Sequence, residues 1–421
     1  MKNIVVSVSL AALGTAGLHA ATSASGDNPR PWGVSGTFDG FYDDNINSAA
    51  DNAKLGSAHR GSTGFEVAPA ISLNWPWEEG SSLSANYVYT FKYYDNKPQN
   101  TSDNYDQTHT FNLALNHSFS ESYAVGLKDS LVIGQEPDFL RAGNTWATYA
   151  RVSGNNIRNV GSFTLDGRLS PLLSFEFGYQ NTLYRYADDA IGGTAGLLDR
   201  MEQAVHLDSR WQLLPDTTGI LGYQFSDAAY TAGQPISPGY MSDARNSRSH
   251  YGYVGLDHQF QPSLSGAIRV GARLTDYYND PTESDAISPY LQLSLHYGYA
   301  PESYVEGGVT LDRSATDLIG TGPSGITVDS ETTSIYATLY HRLAPKLYGS
   351  IILQFQNSDY NGGIYNNSSE QYYTAGLNVE YKFSANLSGH IGYNYDRLES
   401  GEPLNRGFDR NRVYLGITAS Y

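Results

Sequence analysis

Apolar and polar residues alternate without interruption along the last ten residues of the chain. Val413, Leu415, Ile417, Ala419 and Tyr421 are apolar, whereas the residues between them are polar or small. This period of two is typical of a β-strand with one apolar and one polar face. The edge of such a strand invites aggregation unless another strand pairs with it. In a closed barrel the first strand is that partner, and lipid covers the apolar face.

The same alternation recurs along the chain in segments of about 10 to 14 residues, which is long enough for a tilted strand to cross an apolar band. One segment places Leu83, Ala85, Tyr87, Tyr89, Phe91 and Tyr93 opposite Ser84, Asn86, Thr90 and Lys92. The ends of the apolar faces are repeatedly aromatic, as at Trp32, Trp75 and Trp211, and such residues suit a boundary between an apolar layer and water. A soluble repeat protein would fill this face with aliphatic residues, so we favour a membrane barrel.

Short turns and longer polar loops alternate between these segments with a repeat of roughly 44 residues. The eight short turns lie at residues 76–80, 120–122, 170–172, 215–217, 261–263, 301–303, 344–346 and 384–386. The nine longer loops lie at residues 43–60, 95–106, 135–156, 187–200, 228–247, 279–285, 314–330, 358–369 and 399–409. We therefore predict an all-β fold, a transmembrane antiparallel up-and-down β-barrel of about 18 strands, with short periplasmic turns and longer extracellular loops.

The N-terminal residues have the features of an export signal, with Lys2 followed by an apolar stretch and Leu18-His19-Ala20. We predict a signal peptide over residues 1–20, a short segment over 21–30 and a single barrel over 31–421. The chain has no cysteine and a formal net charge of -17, which makes nucleic acid an improbable partner. The predicted location is the bacterial outer membrane.

The first strand ends in the run Tyr42-Asp43-Asp44-Asn45. Together with the C-terminal strand, this run resembles the putative β-barrel porin 2 group and barrels encoded with exopolysaccharide export systems. The resemblance implies a porin-like protein of the outer membrane that passes saccharides. The acids of the run are also candidate calcium ligands, because Ca²⁺ prefers hard oxygen atoms; the alternative is a solvated loop start.

Charged residues of both signs are predicted on the inward face, where they would line a water-filled channel. The pore-lining candidates are Lys92, Arg168, Glu176, Glu202, Asp208, Arg210, Arg269, Arg273, Arg342, Glu380, Lys382 and Arg412. Two interpretations stay open: a selectivity ladder around the arginines, or lateral ion pairs that stiffen the wall. Inward tyrosines, which we predict to be Tyr42, Tyr184, Tyr290, Tyr336, Tyr340, Tyr372 and Tyr414, are either a stacking surface for sugars or wall filling.

Two further features depart from the simple pattern. Asp129 shares its strand face with apolar residues, so we expect a bulge or an early strand end there. The segment 135–156 is too apolar for an ordinary loop, and it either folds into the lumen as a constriction or packs on the outer rim. Glu202, His206 and Asp208 share one strand face, but Glu202 and His206 are separated by about 13 Å at 3.3 Å per residue. We therefore predict no metal, no cofactor and no catalytic site.

The sequence thus predicts passive diffusion of small hydrophilic solutes, saccharides among them, through an outer-membrane channel. Two alternatives remain: a structural or exopolysaccharide-export barrel with a plugged lumen, and an outer-membrane barrel enzyme. The expected partners are outer-membrane lipid, lipopolysaccharide and the barrel-assembly machinery, which would recognise Val413, Leu415, Ile417, Ala419 and Tyr421. A homo-oligomer is a further prediction.

Overall fold

The computed structural model describes residues 30–51, 60–97, 103–134, 155–187, 193–279, 285–321 and 325–421. The predicted signal peptide and nearly all of the segment 135–156 lie outside these residues. Within the described ranges, no helix is long and apolar enough to cross a membrane. Eighteen antiparallel strands form one sheet that closes on itself, as predicted.

The strands follow one another around the barrel in chain order. They are β1 (Trp32–Asp43), β2 (Ser62–Glu78), β3 (Ser81–Tyr94), β4 (Tyr105–Ser118), β5 (Tyr123–Gly134), β6 (Asn156–Arg168), β7 (Leu173–Arg185), β8 (Arg200–Leu214) and β9 (Thr217–Tyr230). They continue as β10 (Ser247–Gln261), β11 (Leu264–Asp276), β12 (Ala286–Ala300), β13 (Ser303–Ser314), β14 (Thr327–Ala344), β15 (Leu347–Gly362), β16 (Ser369–Lys382), β17 (Leu387–Ser400) and β18 (Phe408–Ser420).

The barrel closes where β18 pairs with β1. The register runs from Ser35 opposite Ser420 to Asp43 opposite Arg412, and the backbones of Val34 and Tyr421 exchange two hydrogen bonds of 2.8 and 3.1 Å. The apolar residues of β18 point outward, and Leu415 is 64% exposed. The alternation at the end of the sequence therefore marks the closing strand, as expected.

The eight short turns lie at one end of the barrel, and the strand ends that border the nine longer predicted loops lie at the other end. We name the loops L1 (44–61), L2 (95–104), L3 (135–155), L4 (186–199), L5 (231–246), L6 (277–285), L7 (315–326), L8 (363–368) and L9 (401–407). Strands β14 and β15 extend several residues into the predicted loops. Their polar residues Ser330, Ser358 and Tyr360 are buried in the barrel, so the polar pattern ended the predicted strands too early.

Asp129 lies in a regular part of β5, and the predicted bulge or early strand end is wrong. It pairs in register with Leu113 and Gly161 and points outward. The side-chain amide of Asn159 on β6 donates hydrogen bonds of 3.1 and 3.0 Å to the two carboxylate oxygens. Because Asn159 satisfies both oxygens of the Asp129 carboxylate, the side chain can face outward without a distortion of the strand.

The long loops pack against one another over the extracellular end. L4 contains the helix α1 (Thr194–Leu198), L5 a small hairpin and a 3-10 helix (Ser242–Arg245), and L8 a second 3-10 helix (Gly363–Tyr365). A buried apolar cluster joins four of these loops and the start of β14; its members are Leu197, Leu198, Ile236, Ala244, Tyr277, Ile326 and Val328. We call the described residues of L1 and L4–L9 the cap; residues 52–59, 188–192, 280–284 and 322–324 are not part of it.

Candidate permeation surface

All twelve predicted pore-lining residues lie on the inward face. They alternate with outward residues such as Trp211 (49% exposed) and Val270 (47% exposed), and cross-strand partners share one face. The positions are Lys92, Arg168, Glu176, Glu202, Asp208, Arg210, Arg269, Arg273, Arg342, Glu380, Lys382 and Arg412. Several of these residues belong to three groups of ion pairs, which lie in different parts of the wall.

The first group lies on β7, β8, β10 and β11, near the short turns. Arg210 binds Glu176 at 2.9 Å and Asp257 at 2.7 Å, and Arg269 binds Asp257 at 2.7 Å. His206 lies 3.3 Å from Glu176. Each guanidinium is therefore matched by a carboxylate, and the positive charge of these arginines is largely cancelled within the wall.

The second group lies nearer the long loops. Arg273 binds Asp312 at 2.8 Å across β12, and its Nε donates to the hydroxyls of Ser249 and Thr275 at 3.1 Å. Arg342, at the opposite rim, binds Glu302 at 3.0 Å. The arginines of the proposed selectivity ladder are thus all engaged in lateral ion pairs, as the second interpretation of the sequence expected.

The third group joins β18 to its neighbours at the closure of the barrel. Arg412 binds Asp396 at 2.6 Å, and His390 reaches Asp39 at 2.6 Å across β18. Arg410, which the sequence analysis missed, binds Asp43 with its Nε and Nη2. The sequence contains a signal for this contact. Arg410 is two residues from Arg412 and therefore shares its inward face, and closure of the barrel places that face beside the acids of β1.

The acids of the run at the end of β1 are engaged in protein contacts, so the expectation of a solvated loop start is wrong and the carboxylates are not free for calcium. Asp43 is fully buried in its ion pair with Arg410. Asp44 accepts hydrogen bonds of 2.7 Å from the backbone and side chain of Asn411, and the side-chain amide of Asn45 donates to carbonyl oxygens of Ala49 and Asp409. These acids were misjudged because their partners lie 367 residues away in sequence.

The side chains that suggested acid-base or metal chemistry do not converge. Glu202 binds Arg200 at 2.6 Å, His206 contacts Glu176, and Asp208 accepts a hydrogen bond of 2.6 Å from Tyr253. Within the part of the chain that the structure describes, no three His, Asp or Glu side chains lie close enough to hold a metal ion.

The inward tyrosines stack mainly on one another. The ring centroids of Tyr304 and Tyr340 are 5.7 Å apart, and those of Tyr340 and Tyr348 are 5.9 Å apart. The ammonium of Lys382 covers Tyr348 at 4.4 Å. Tyr42 points outward and is 49% exposed, contrary to the prediction, because its parity is that of Val34 and Phe38. The stacked faces favour wall filling over a sugar-binding track.

Glycines allow large inward side chains to lie flat along the wall. A Cβ at Gly222 would lie 2.1 Å from a ring carbon of Tyr253, and a Cβ at Gly178 would lie 1.9 Å from the ring of His206. The rings therefore occupy space that the Cβ of any other residue at these two glycine positions would fill. The rings thus pack closely against the backbone of the wall, and Tyr253 is buried there.

Burial in the cap shifts the pKa of two loop residues. It raises the pKa of Asp199 in L4, which is half-buried and whose carboxylate accepts a hydrogen bond of 2.7 Å from the backbone of Tyr186. It lowers the pKa of Arg245 in L5, which is fully buried. The described loop residues around Arg245 thus form a packed structure rather than a set of solvated loops.

Residues 35–421 match the model of the family described as "Putative beta-barrel porin 2". The chain belongs to this family. The resemblance to the porin 2 group noted at Tyr42-Asp43-Asp44-Asn45 and at the C-terminal strand is therefore confirmed. This member of the beta-barrel porin 2 family is an outer-membrane, porin-like β-barrel.

Solved outer-membrane barrels are among the structures that are similar to this porin-family chain. OpdK from Pseudomonas aeruginosa is 12% identical with a TM-score of 0.44, and the match covers 93% of this chain and 99% of that one. OccAB4 from Acinetobacter baumannii is 11% identical with a TM-score of 0.44, and the match covers 94% and 100%. The comparison with curated protein sequences found no match.

Proposed function

We propose that this porin-family barrel is a channel for passive diffusion of small hydrophilic solutes across the outer membrane. The observation that carries the proposal is the way large inward side chains lie along the wall. Tyr253 rests over Gly222 and bonds to Asp208, and Arg210 is held between two carboxylates of neighbouring strands. An eighteen-stranded barrel encloses a lumen wide enough for water when its side chains do not fill it.

The balance of charge on the wall supports a channel of weak ion preference. Arg210, Arg269 and Arg273 each lie within 3 Å of a carboxylate, so little of their field extends into the lumen. Neutral polar solutes, including saccharides, then meet no strong barrier. The pore-lining role of the twelve predicted residues is part of this proposal.

The test is single-channel conductance of the refolded mature chain in a planar bilayer, with the reversal potential measured under a salt gradient. We expect steady openings of about a nanosiemens, as for a water-filled pore of this strand number, and a reversal potential close to zero. A heat-modifiable, folded barrel that passes no current would refute the diffusion channel and favour the plugged, structural or export reading.

Solute class is tested separately by the swelling of liposomes that contain the barrel. We expect mono- and disaccharides to enter at rates that fall with their size, because diffusion through a water-filled lumen is limited by width. Saturation at low sugar concentration would instead indicate a binding track. Lipopolysaccharide contact, recognition of β18 by the barrel-assembly machinery and a homo-oligomer remain predictions, the last of which native mass spectrometry in detergent can check.

A further inference from the structure

Loop L7 is the centre of the cap. Its backbone accepts hydrogen bonds from L5 and L8, since Ile364 N–H donates to the carbonyl of Gly320 at 3.3 Å. The hydroxyls of Ser237 in L5 and Thr321 in L7 are 2.6 Å apart. L9 in turn accepts a hydrogen bond of 2.8 Å from L1, from Asp51 N–H to the carbonyl of Gly407. Loops from most of the rim therefore form one connected structure.

Two arginines attach neighbouring loops to L7. Arg245 of L5 is 1% exposed and donates to the carbonyl oxygens of Leu197 in L4 and of Thr316 and Leu318 in L7. Its Nε has no hydrogen-bond partner among the described residues, so the acceptors of Nη1 and Nη2 are those that hold the guanidinium. Loss of one of them would leave a further buried N–H group unpaired, which is costly. Arg245 thereby fixes three loops at once.

Arg406 of L9 makes the second attachment. It binds Asp317 of L7 at 2.8 Å and Glu370 of β16 at 2.6 Å, and donates to the hydroxyl of Tyr360 on β15 at 3.2 Å. Glu370 is 1% exposed, so the ion pair is shielded from water. Arg406 therefore attaches L7, through Asp317, to strands β15 and β16 of the barrel wall.

The position of the base strands brings the cap inward over the lumen. In the apolar cluster, Leu198 of L4 lies two residues before β8, and Ile326 of L7 lies one residue before β14. These strands are six positions apart among eighteen, which corresponds to about 120° around a circular barrel. Loops rooted about a third of the circumference apart meet by reaching over part of the opening.

We propose that the cap, fastened by Arg245 and Arg406, sets the size limit for solutes that enter from the extracellular side. This inference rests on the proposed diffusion function and names the residues that restrict it. The wall decides which polar surface a solute meets, whereas the cap decides which solutes reach that wall. Both arginines act by positioning L7, because neither needs to touch the solute.

The experiment compares Arg406→Ala and Arg245→Ala with Arg397→Ala. Arg397 is a matched control, because it lies next to L9 but pairs with Glu399 on an exposed surface, with both side chains 46% exposed. Conductance and the largest polyethylene glycol that enters from the extracellular side are measured for each heat-modifiable barrel. We expect both cap variants to admit larger polymers. We also expect them to conduct about twofold more, as when the cap and the lumen are two equal resistances in series and the first is removed. Arg397→Ala should match the parent.

An engineered disulfide tests whether the position of L7 can be restored without Arg245. The chain has no cysteine, so Ser237→Cys with Thr321→Cys introduces one pair that joins L5 to L7. In the Arg245→Ala background the oxidised pair should restore the parent conductance, and a reductant should raise it again. Raised conductance that persists with the disulfide formed would overturn the inference.

The outcomes separate the two proposals. Cap variants that match a conducting parent overturn the cap inference and leave the diffusion channel standing. A silent parent with conducting cap variants supports the cap and refutes open diffusion. Silence in every folded variant overturns both.

Discussion

The buried ion pair at the barrel closure provides the sharpest test of the structure. Arg410 and Asp43 have fully buried side chains, with Nη2 of Arg410 2.5 Å and Nε 3.0 Å from Oδ2 of Asp43. Replacing Arg410 by methionine leaves the carboxylate of Asp43 buried without its cation. Loss of one partner of a buried pair costs about 3–5 kcal/mol. We expect Arg410→Met to destabilise the barrel by this amount.

The assay is equilibrium unfolding of the refolded barrel in urea, followed by tryptophan fluorescence, with the heat-modified gel band as a check on folding. Arg397→Met is the control, because an exposed pair contributes about 0–1 kcal/mol. A difference of about 3 kcal/mol between the variants changes the folding equilibrium by about a hundredfold. The double variant Arg410→Met with Asp43→Leu should recover part of the loss, since it removes the stranded charge. Equal destabilisation by Arg410→Met and Arg397→Met would refute the reasoning.

Three more changes test other parts of the molecule. Gly222→Ala should push the ring of Tyr253 off the wall, destabilise the barrel by about 1–3 kcal/mol and lower single-channel conductance. Gly252→Ala is the control, because its Cβ would meet no heavy atom within 4 Å. Equal stability and conductance of the two variants would contradict packing of the Tyr253 ring against the wall. Leu415→Arg places a charge on a residue that is 64% exposed to lipid, so the yield of folded barrel in liposomes should fall, with a cost of about 2–4 kcal/mol; an unchanged yield would exclude an outward Leu415. Arg210→Gln removes one positive charge from the inward face and should shift the reversal potential towards cation preference; a shift towards anions would contradict its placement.

The barrel itself was predictable because its strands carry the signal in their own residues. Period-two alternation depends only on which face meets lipid, and lipid selects apolar side chains as strictly as a protein core does. The rule fails where both faces of a strand are polar, as at Ser330 and Ser358, because burial inside the barrel does not require apolar residues. Tyr42 was placed on the wrong face for a related reason, since tyrosine suits both the rim and the lumen.

The partners of the inward charges were not predictable from alternation alone. Parity places Arg210 inside, but only the register of β7, β8, β9 and β10 shows that Glu176 and Asp257 flank it. At the closure, Arg410 and Asp43 are 367 residues apart in sequence. The cap was beyond reach, because loop contacts such as those of Arg245 follow no periodicity.

The cap also determines what an outside molecule can recognise on this protein. Arg245 joins L4, L5 and L7, and Arg406 joins L9 to L7, so the exposed surface is assembled from segments that are far apart in sequence. An antibody raised against the folded barrel would bind a discontinuous epitope. A synthetic peptide copied from a single loop lacks the neighbours that give that loop its shape, and would fail to compete.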